Sequence, residues 1–119
     1  FDDGLNDPIS TSLILFDFAK ADLRPESMAV IEGIADYMER FPRIRIEVRG
    51  HTDNVGADDV NKKLSQDRAQ SVVAALIGLG IEPKRLRARG FGMSQPVASN
   101  DTDDGRQKNR RTEFIRWAD

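Results

Sequence analysis

Apolar positions along the chain change rhythm several times, and each rhythm predicts an element. Met28, Ile31, Ala35 and Met38 recur every three to four residues. Pro25 suits a first helical position and Pro42 stops the pattern, so a helix is expected between them. Ile44, Ile46 and Val48 then alternate with Arg43, Arg45, Glu47 and Arg49, the period-two signature of a half-buried strand. Polar, Gly-containing residues 50–58 read as a loop. A second helix follows, with Leu64, Val72, Val73, Leu76 and Ile77 on one stripe and Gly78 and Gly80 near its end. Leu86 and Ala88 alternate with Arg85, Arg87 and Arg89 in another strand, residues 90–111 read as a long polar loop, and residues 112–117 read as a last strand. Ahead of the first helix, residues 11–18 are rich in β-branched, leucine and aromatic residues without alternation, as in a strand covered on both faces.

The predicted order is β-α-β-α-β-β. Helical crossovers allow the first three strands to run parallel, with right-handed connections. The second and third strands each carry one charged face, which helices on both sides would bury. The expectation is therefore an α/β (α+β) two-layer sandwich, with a mixed four-stranded sheet and helices on one face; the strand order stays open. Residues 1–10, with three Asp plus Asn, Gly and Pro, read as a linker or frayed terminus, leaving 11–119 as the domain.

Composition narrows the function. The chain has 119 residues, 18 Lys and Arg against 20 Asp and Glu, and a formal net charge of -2. That is the size of one domain, since domains commonly run ~100–150 residues. The absence of cysteine excludes disulfides, thiol catalysis and Cys-based metal sites. No apolar run approaches the ~18 residues of a membrane span. Residue 1 is Phe, so the expectation is a domain from a longer protein whose targeting segment or anchor lies outside it. Residues 84–119 hold nine Lys or Arg against five acidic residues, whereas 1–83 hold nine against fifteen. A basic C-terminal third on an acidic chain fits a local anion site or a solvated face better than nucleic-acid binding, which usually brings a strongly basic domain.

Catalytic signatures are missing. No phosphate-binding G-x-x-x-x-G-K-[ST] occurs, Gly90-Phe91-Gly92-Met93-Ser94-Gln95 fails G-x-G-x-x-G at its last position, and there is no G-x-S-x-G elbow. The single histidine, His51, lies two residues before Asp53 and could pair with it, but a hydrogen-bonded structural role is the expected one. Asp17, Asp22 and Asp53 could gather as carboxylates, although spacing alone does not show it.

The second helix says more. Arg68 stands four residues after Leu64 and four before Val72, on the apolar stripe itself, and Asn61 lies seven residues earlier on that face. A guanidinium there must reach outward or find a partner, because an unpaired buried charge is costly. Helical side chains lean toward the N-terminus, so Arg68 points toward the loop holding Asp53. This is the sheet edge where open α/β sheets usually bind ligands. Two readings stay open. Asp53 and Arg68 form a structural salt bridge, or they form a split pair in which the carboxylate takes an ammonium and the guanidinium a carboxylate, which would recognise a zwitterion.

The stretch His51-Thr52-Asp53-Asn54-x-Gly56 followed by Asn61-x-x-Leu64-Ser65-x-x-Arg68-Ala69 resembles the signature of OmpA-like peptidoglycan-binding domains. Arg85-Leu86, Gly90-Phe91-Gly92, Gln95-Pro96, Asn100 and Gly105-Arg106-x-x-Asn109-Arg110-Arg111 continue the likeness, as does Leu15-Phe16-Asp17-Phe18. It extends from about residue 13 to residue 117. The resemblance implies non-covalent binding of the peptidoglycan stem peptide, chiefly through diaminopimelate, whose free end is a zwitterion. It further implies that Asp53 takes the ammonium and Arg68 the carboxylate. Asn61 and Leu64 would line the groove, the backbone at Phe18 and Ala19 would close it, Ala57 would add a loop contact, and Arg110 would add positive charge. Arg106 and Arg111 stay open between structural and site roles.

The family pattern is departed from at Thr112, where an aliphatic residue is usual, and at Met93-Ser94, where an acidic residue is common. Neither touches the pair. The expected function is thus a periplasmic, non-catalytic module with no cofactor, tethering an envelope protein to the cell wall. Alternatives are a dimerising flagellar stator or secretion-system domain, which would make a homodimer, and less favourably a peptidoglycan-acting enzyme. Asn61-Lys62-Lys63-Leu64 lacks an aromatic residue often found in stator proteins, which leans away from them.

Overall fold

A computed structural model describes residues 9–11 and 27–117. The elements are β1 (Ile9–Thr11), α1 (Met28–Arg40), β2 (Arg45–His51), α2 (Asp58–Gly78), β3 (Leu86–Gly92), α3 (Asp103–Asn109) and β4 (Thr112–Trp117), with a 3-10 turn at Pro83–Arg85 before β3. β2 lies between β3, to which it runs parallel, and β4, to which it runs antiparallel, making a mixed sheet. The short β1 pairs antiparallel with the outer side of β4. Most of the strand expected at residues 11–18, and the Pro25 helix start, lie outside the described residues.

The core forms on one face of this sheet because the strand alternation and the helical stripes meet there. Ile46 and Val48 of β2, Leu86 of β3 and Phe114 of β4 pack with Ile31, Ile34, Ala35 and Met38 of α1 and with Ala69, Val72 and Leu76 of α2. Arg85 locks the far end of α1 to the sheet. From its buried position its Nε donates to Ile44 O at 3.0 Å, and its Nη2 donates to Met38 O at 2.8 Å and Phe41 O at 3.0 Å. The bond to Met38 O answers a carbonyl that the helix end leaves without an intrahelical partner, and the other two tie the chain that follows it.

Two expectations are corrected. The buried face of α2 runs through Asn61, Ser65, Ala69, Val72 and Leu76, so Leu64 and Arg68 sit on its half-buried flank and Ile77 is exposed. The reason is the small residues at Ser65 and Ala69. They carry little hydropathy signal, yet they let the helix backbone touch the strands. A Cβ on Gly50 would lie 2.5 Å from Ser65 O, and one on Gly90 would lie 2.2 Å from Gln66 N. The second correction is α3, which stands inside the segment read as loop. It is seven residues long and polar, so it has no apolar stripe to detect. Its start is set by Thr102, whose side chain accepts from Gly105 N at 3.0 Å, with Asp103 and Asp104 in the first turn.

The close approach of α2 also finishes the outer side of β3. Gln66 Nε2 donates to Ala88 O at 3.1 Å and its Oε1 accepts from Gly90 N at 2.8 Å, while Ser65 Oγ accepts from Gly92 N at 2.9 Å. One side-chain amide thus stands where the backbone of a further strand would be.

Gly90→Ala is expected to destabilise the domain by about 1–3 kcal/mol, because the added methyl meets helix backbone that has no rotamer to yield. Gly33→Ala, where a Cβ meets nothing within 4 Å, should stabilise α1 by about 0.5–1 kcal/mol. Urea denaturation of the two variants checks both signs.

Candidate functional site

β2 delivers His51, Thr52 and Asp53 to the end of the sheet beside the start of α2. Thr52 N donates to Gly92 O at 2.8 Å, and Thr52 Oγ1 donates to Asp53 O at 2.8 Å, so the chain leaves the strand in a fixed direction. The Asp53 carboxylate is held at both oxygens. Oδ1 accepts from Val55 N at 3.0 Å and Oδ2 from Arg110 Nη1 at 2.5 Å. Asn61, buried in the first turns of α2, donates from Nδ2 to Val55 O at 3.0 Å. The loop is therefore tied to α2 by the same residues expected to face the ligand. Ala57, in extended conformation, caps the helix and is exposed.

Arg68 stands two turns further along α2, half-buried beside half-buried Leu64. Burial lowers its guanidinium pKa from the ordinary arginine value, a sign of a charge held partly out of water. Among the described residues the ion-pair partner of Asp53 is Arg110, not Arg68. The direct salt bridge between Asp53 and Arg68 is therefore not formed in this structure. Phe18 and Ala19 lie outside the described residues.

Arg110 comes from the loop that closes the domain, and its anchor is Asn109. The Asn109 side chain is fully buried. Its Oδ1 accepts from Val97 N at 2.7 Å and Ala98 N at 3.0 Å, and its Nδ2 donates to Ala98 O at 2.9 Å and Asn100 Oδ1 at 2.8 Å. A single amide fastens the whole 97–100 turn and fixes where the next residue emerges. Arg106 donates to Asn100 O at 2.8 Å and pairs with Asp103. Arg111, buried, donates from Nη2 to Gln95 O at 3.0 Å and from Nε to Glu113 Oε2 at 3.3 Å. Both therefore brace the loop, and only Arg110 reaches Asp53. The run Gly105 to Arg111 named these residues, but which arginine met which carboxylate depended on α3.

His51 does not pair with Asp53. It lies under the opposite face, stacked on Phe91 at 5.3 Å, with Nε2 2.7 Å from Glu113 Oε1. Its Nδ1 is buried without a hydrogen-bond partner. That geometry fits the neutral ring, with Nε2–H donating to Glu113 and a bare lone pair on Nδ1; a second proton would sit unanswered. Burial, joined by the nearby Arg111, lowers its pKa below 6.5, outweighing the opposing pull of Glu113. Among the described residues no three His, Asp or Glu side chains are gathered in a way that could hold a metal ion.

The domain is a two-layer α/β unit with a braced carboxylate at its strand ends and a half-buried arginine on the adjoining helix. The comparisons define its family. Residues 15–110 match the OmpA family, and the chain belongs to it. It is 45% identical over 100 residues to outer membrane porin F of Pseudomonas fluorescens, covering 84% of this chain and 31% of that protein. It is 36% identical over 95 residues to the peptidoglycan-binding protein ArfA of Mycobacterium bovis, covering 80% of this chain and 29% of that one. The peptidoglycan-associated lipoprotein of Burkholderia pseudomallei superposes with a TM-score of 0.80 at 29% identity, covering 91% of this chain and 89% of that chain. The periplasmic domain of MotB from Helicobacter pylori superposes at 0.83 and 30% identity, covering 94% and 76%. The chain thus spans about a third of the porin it matches. Among the described residues no helix is long and apolar enough to cross a membrane.

The lowered His51 pKa has a consequence with a definite sign. The unfolded chain takes up this proton at higher pH than the folded one, so the stability tied to neutral His51 is complete above 6.5 and is lost as pH falls through the folded value. Urea midpoints should fall as the pH is lowered from 6.5 towards the folded value, with a slope of at most about 1.4 kcal/mol per pH unit from this group, and level off below it. His51→Gln, which can still donate to Glu113 and does not titrate, should flatten the slope.

Proposed function

We propose that this domain binds peptidoglycan non-covalently through the diaminopimelate of the stem peptide and so tethers an envelope protein to the cell wall. The observation that carries the reading is the placement of Asp53: its carboxylate is aimed by Val55 N and Arg110, beside the helix that presents half-buried Arg68. The free end of diaminopimelate is a zwitterion. Its ammonium would meet Asp53, whose two oxygens each carry one partner and retain a lone pair. Its carboxylate would meet Arg68, where partial burial strengthens a charge-assisted pair. Arg110 neutralises Asp53 without ligand and adds positive charge beside the carboxylate when the ammonium arrives. On the family likeness, Asn61 and Leu64 would form one wall of the groove and Ala57 its loop contact, while Phe18 and Ala19, implied to close it, lie outside the described residues.

Nothing in this recognition needs bond-making, and the module is non-catalytic and cofactor-free in this reading. Its place is the periplasm, carried by a membrane-anchored protein. Relatives described as peptidoglycan-binding or peptidoglycan-associated support this reading. A second reading is favoured by the likeness to MotB: a homodimerising assembly domain, as in stators or secretion systems, that leaves the groove unused.

Co-sedimentation with purified sacculi decides between them. Wild type should pellet with diaminopimelate-type sacculi and about tenfold or more weakly with lysine-type sacculi, whose side chain offers Asp53 an ammonium but gives Arg68 no carboxylate. Asp53→Ala and Arg68→Ala should each abolish pelleting while keeping a cooperative melt. Folded wild type that pellets with neither wall, and whose mass rises with concentration, would establish the assembly reading instead.

A further inference from the structure

The face of the sheet turned away from α1 and α2 carries Arg45, Glu47 and Arg49 from β2, Arg87, Arg89 and Phe91 from β3, and Glu113, Ile115 and Trp117 from β4. At its centre Glu47 is 0% exposed, although none of the described helices packs on this face. It is roofed by arginines. Arg49 Nε donates to Glu47 Oε1, and Arg87 Nε donates to Oε2 at 2.6 Å. Both guanidiniums also lie on aromatic rings, Arg87 at 4.1 Å from the centre of Trp117 and Arg49 at 5.4 Å from that of Phe91. Arg45 and Arg89 flank the same two rings, at 5.2 and 5.0 Å.

We propose that this face is a docking surface for the phosphodiester headgroups of an anionic lipid bilayer, distinct from the wall-binding groove. Among the described residues four arginines share the face with two carboxylates, a local excess of positive charge on a chain whose net charge is -2. Glu47 consumes only the Nε of Arg49 and Arg87. Their Nη groups donate to no described residue, yet the buried carboxylate and the rings hold them in place, so little side-chain freedom remains to be lost on binding.

The shape selects the occupant. Neighbouring strands lie about 5 Å apart and side chains of one face repeat about every 7 Å along a strand, which spreads these cations as a grid over the sheet face. Such a grid matches a plane of phosphates, whereas a single small anion needs its donors to converge on one point. Trp117, at the end of β4, is the residue type that favours the headgroup layer. The inference does not depend on diaminopimelate recognition, since none of these residues belongs to that groove.

The experiment is co-sedimentation of the domain with sucrose-loaded vesicles of phosphatidylcholine alone or mixed with phosphatidylglycerol, across a salt series. Arg89→Glu is the main variant, because Arg89 is exposed and makes no described ion pair. Arg87→Lys keeps the charge and loses the fork, guarding against loss of fold through Glu47. Wild type should pellet only with phosphatidylglycerol vesicles, and less as salt rises. Arg89→Glu should lose about fivefold or more in partitioning while still pelleting with sacculi. Equal pelleting with both vesicle types, undiminished binding by Arg89→Glu, or retention on soluble polyglutamate or inorganic phosphate without vesicle binding would each overturn the proposal. Loss of sacculus binding by wild type, with vesicle binding intact, would sink only the wall reading.

Discussion

The direct contact of α2 backbone with the parallel strands β2 and β3 is the constraint on which the rest depends. Gly50 and Gly90 leave no room for a Cβ against Ser65 and Gln66. Ordinary helix-on-sheet packing is separated by side chains and can adjust its angle and height. Backbone-to-backbone packing has no such slack, because atoms at van der Waals contact neither compress nor rearrange. The first turns of α2 are consequently registered against the C-terminal ends of both strands. Asn61 can then fasten the 53–57 loop, and Arg68 emerges at a fixed height above it.

The end of the sheet at Asp53 and the face opposite the helices handle charge differently. Asp53 and Arg110 come from segments 57 residues apart, and their pairing needs α3 and the Asn109 amide to bring the last loop home. On the other face, Glu47 is paired with Arg49 of its own strand and Arg87 of the neighbouring one. Burial by itself would raise its carboxyl pKa, but the hydrogen bonds from Arg49 and Arg87 outweigh that and leave it below 4.5. A buried carboxylate between two arginines is tolerable because both oxygens are answered; removing either partner alone would strand the charge.

These differences explain what was legible in the sequence. α1, β2 and the last strand follow from periodicity because Ile31, Ile34, Met38, Ile46, Val48 and Phe114 face one core. Arg68 stood out because a charge next to an apolar stripe is conspicuous, although the true contact face passes through Ser65 and Ala69, one step around the helix. α3 was illegible, since a short polar helix defined by its cap has no hydrophobic period. The Asp53–Arg110 pair and the burial of Glu47 were illegible for another reason: both arise between segments whose adjacency only the topology supplies. Family likeness named Arg110 as a site residue without revealing its partner.

Gln66 has a bearing on how such domains can crowd together. A wall-tethered module is confined to a thin layer, where copies meet far more often than in free solution. An open β3 would invite one copy to extend the sheet of the next, head to tail, into a fibre. The amide of Gln66 occupies the Ala88 and Gly90 positions that such a neighbour would have to claim. In the proposed wall-binding role, high local density would thereby be compatible with individual, reversible attachment: each copy would stay a separate rivet rather than a link in a chain.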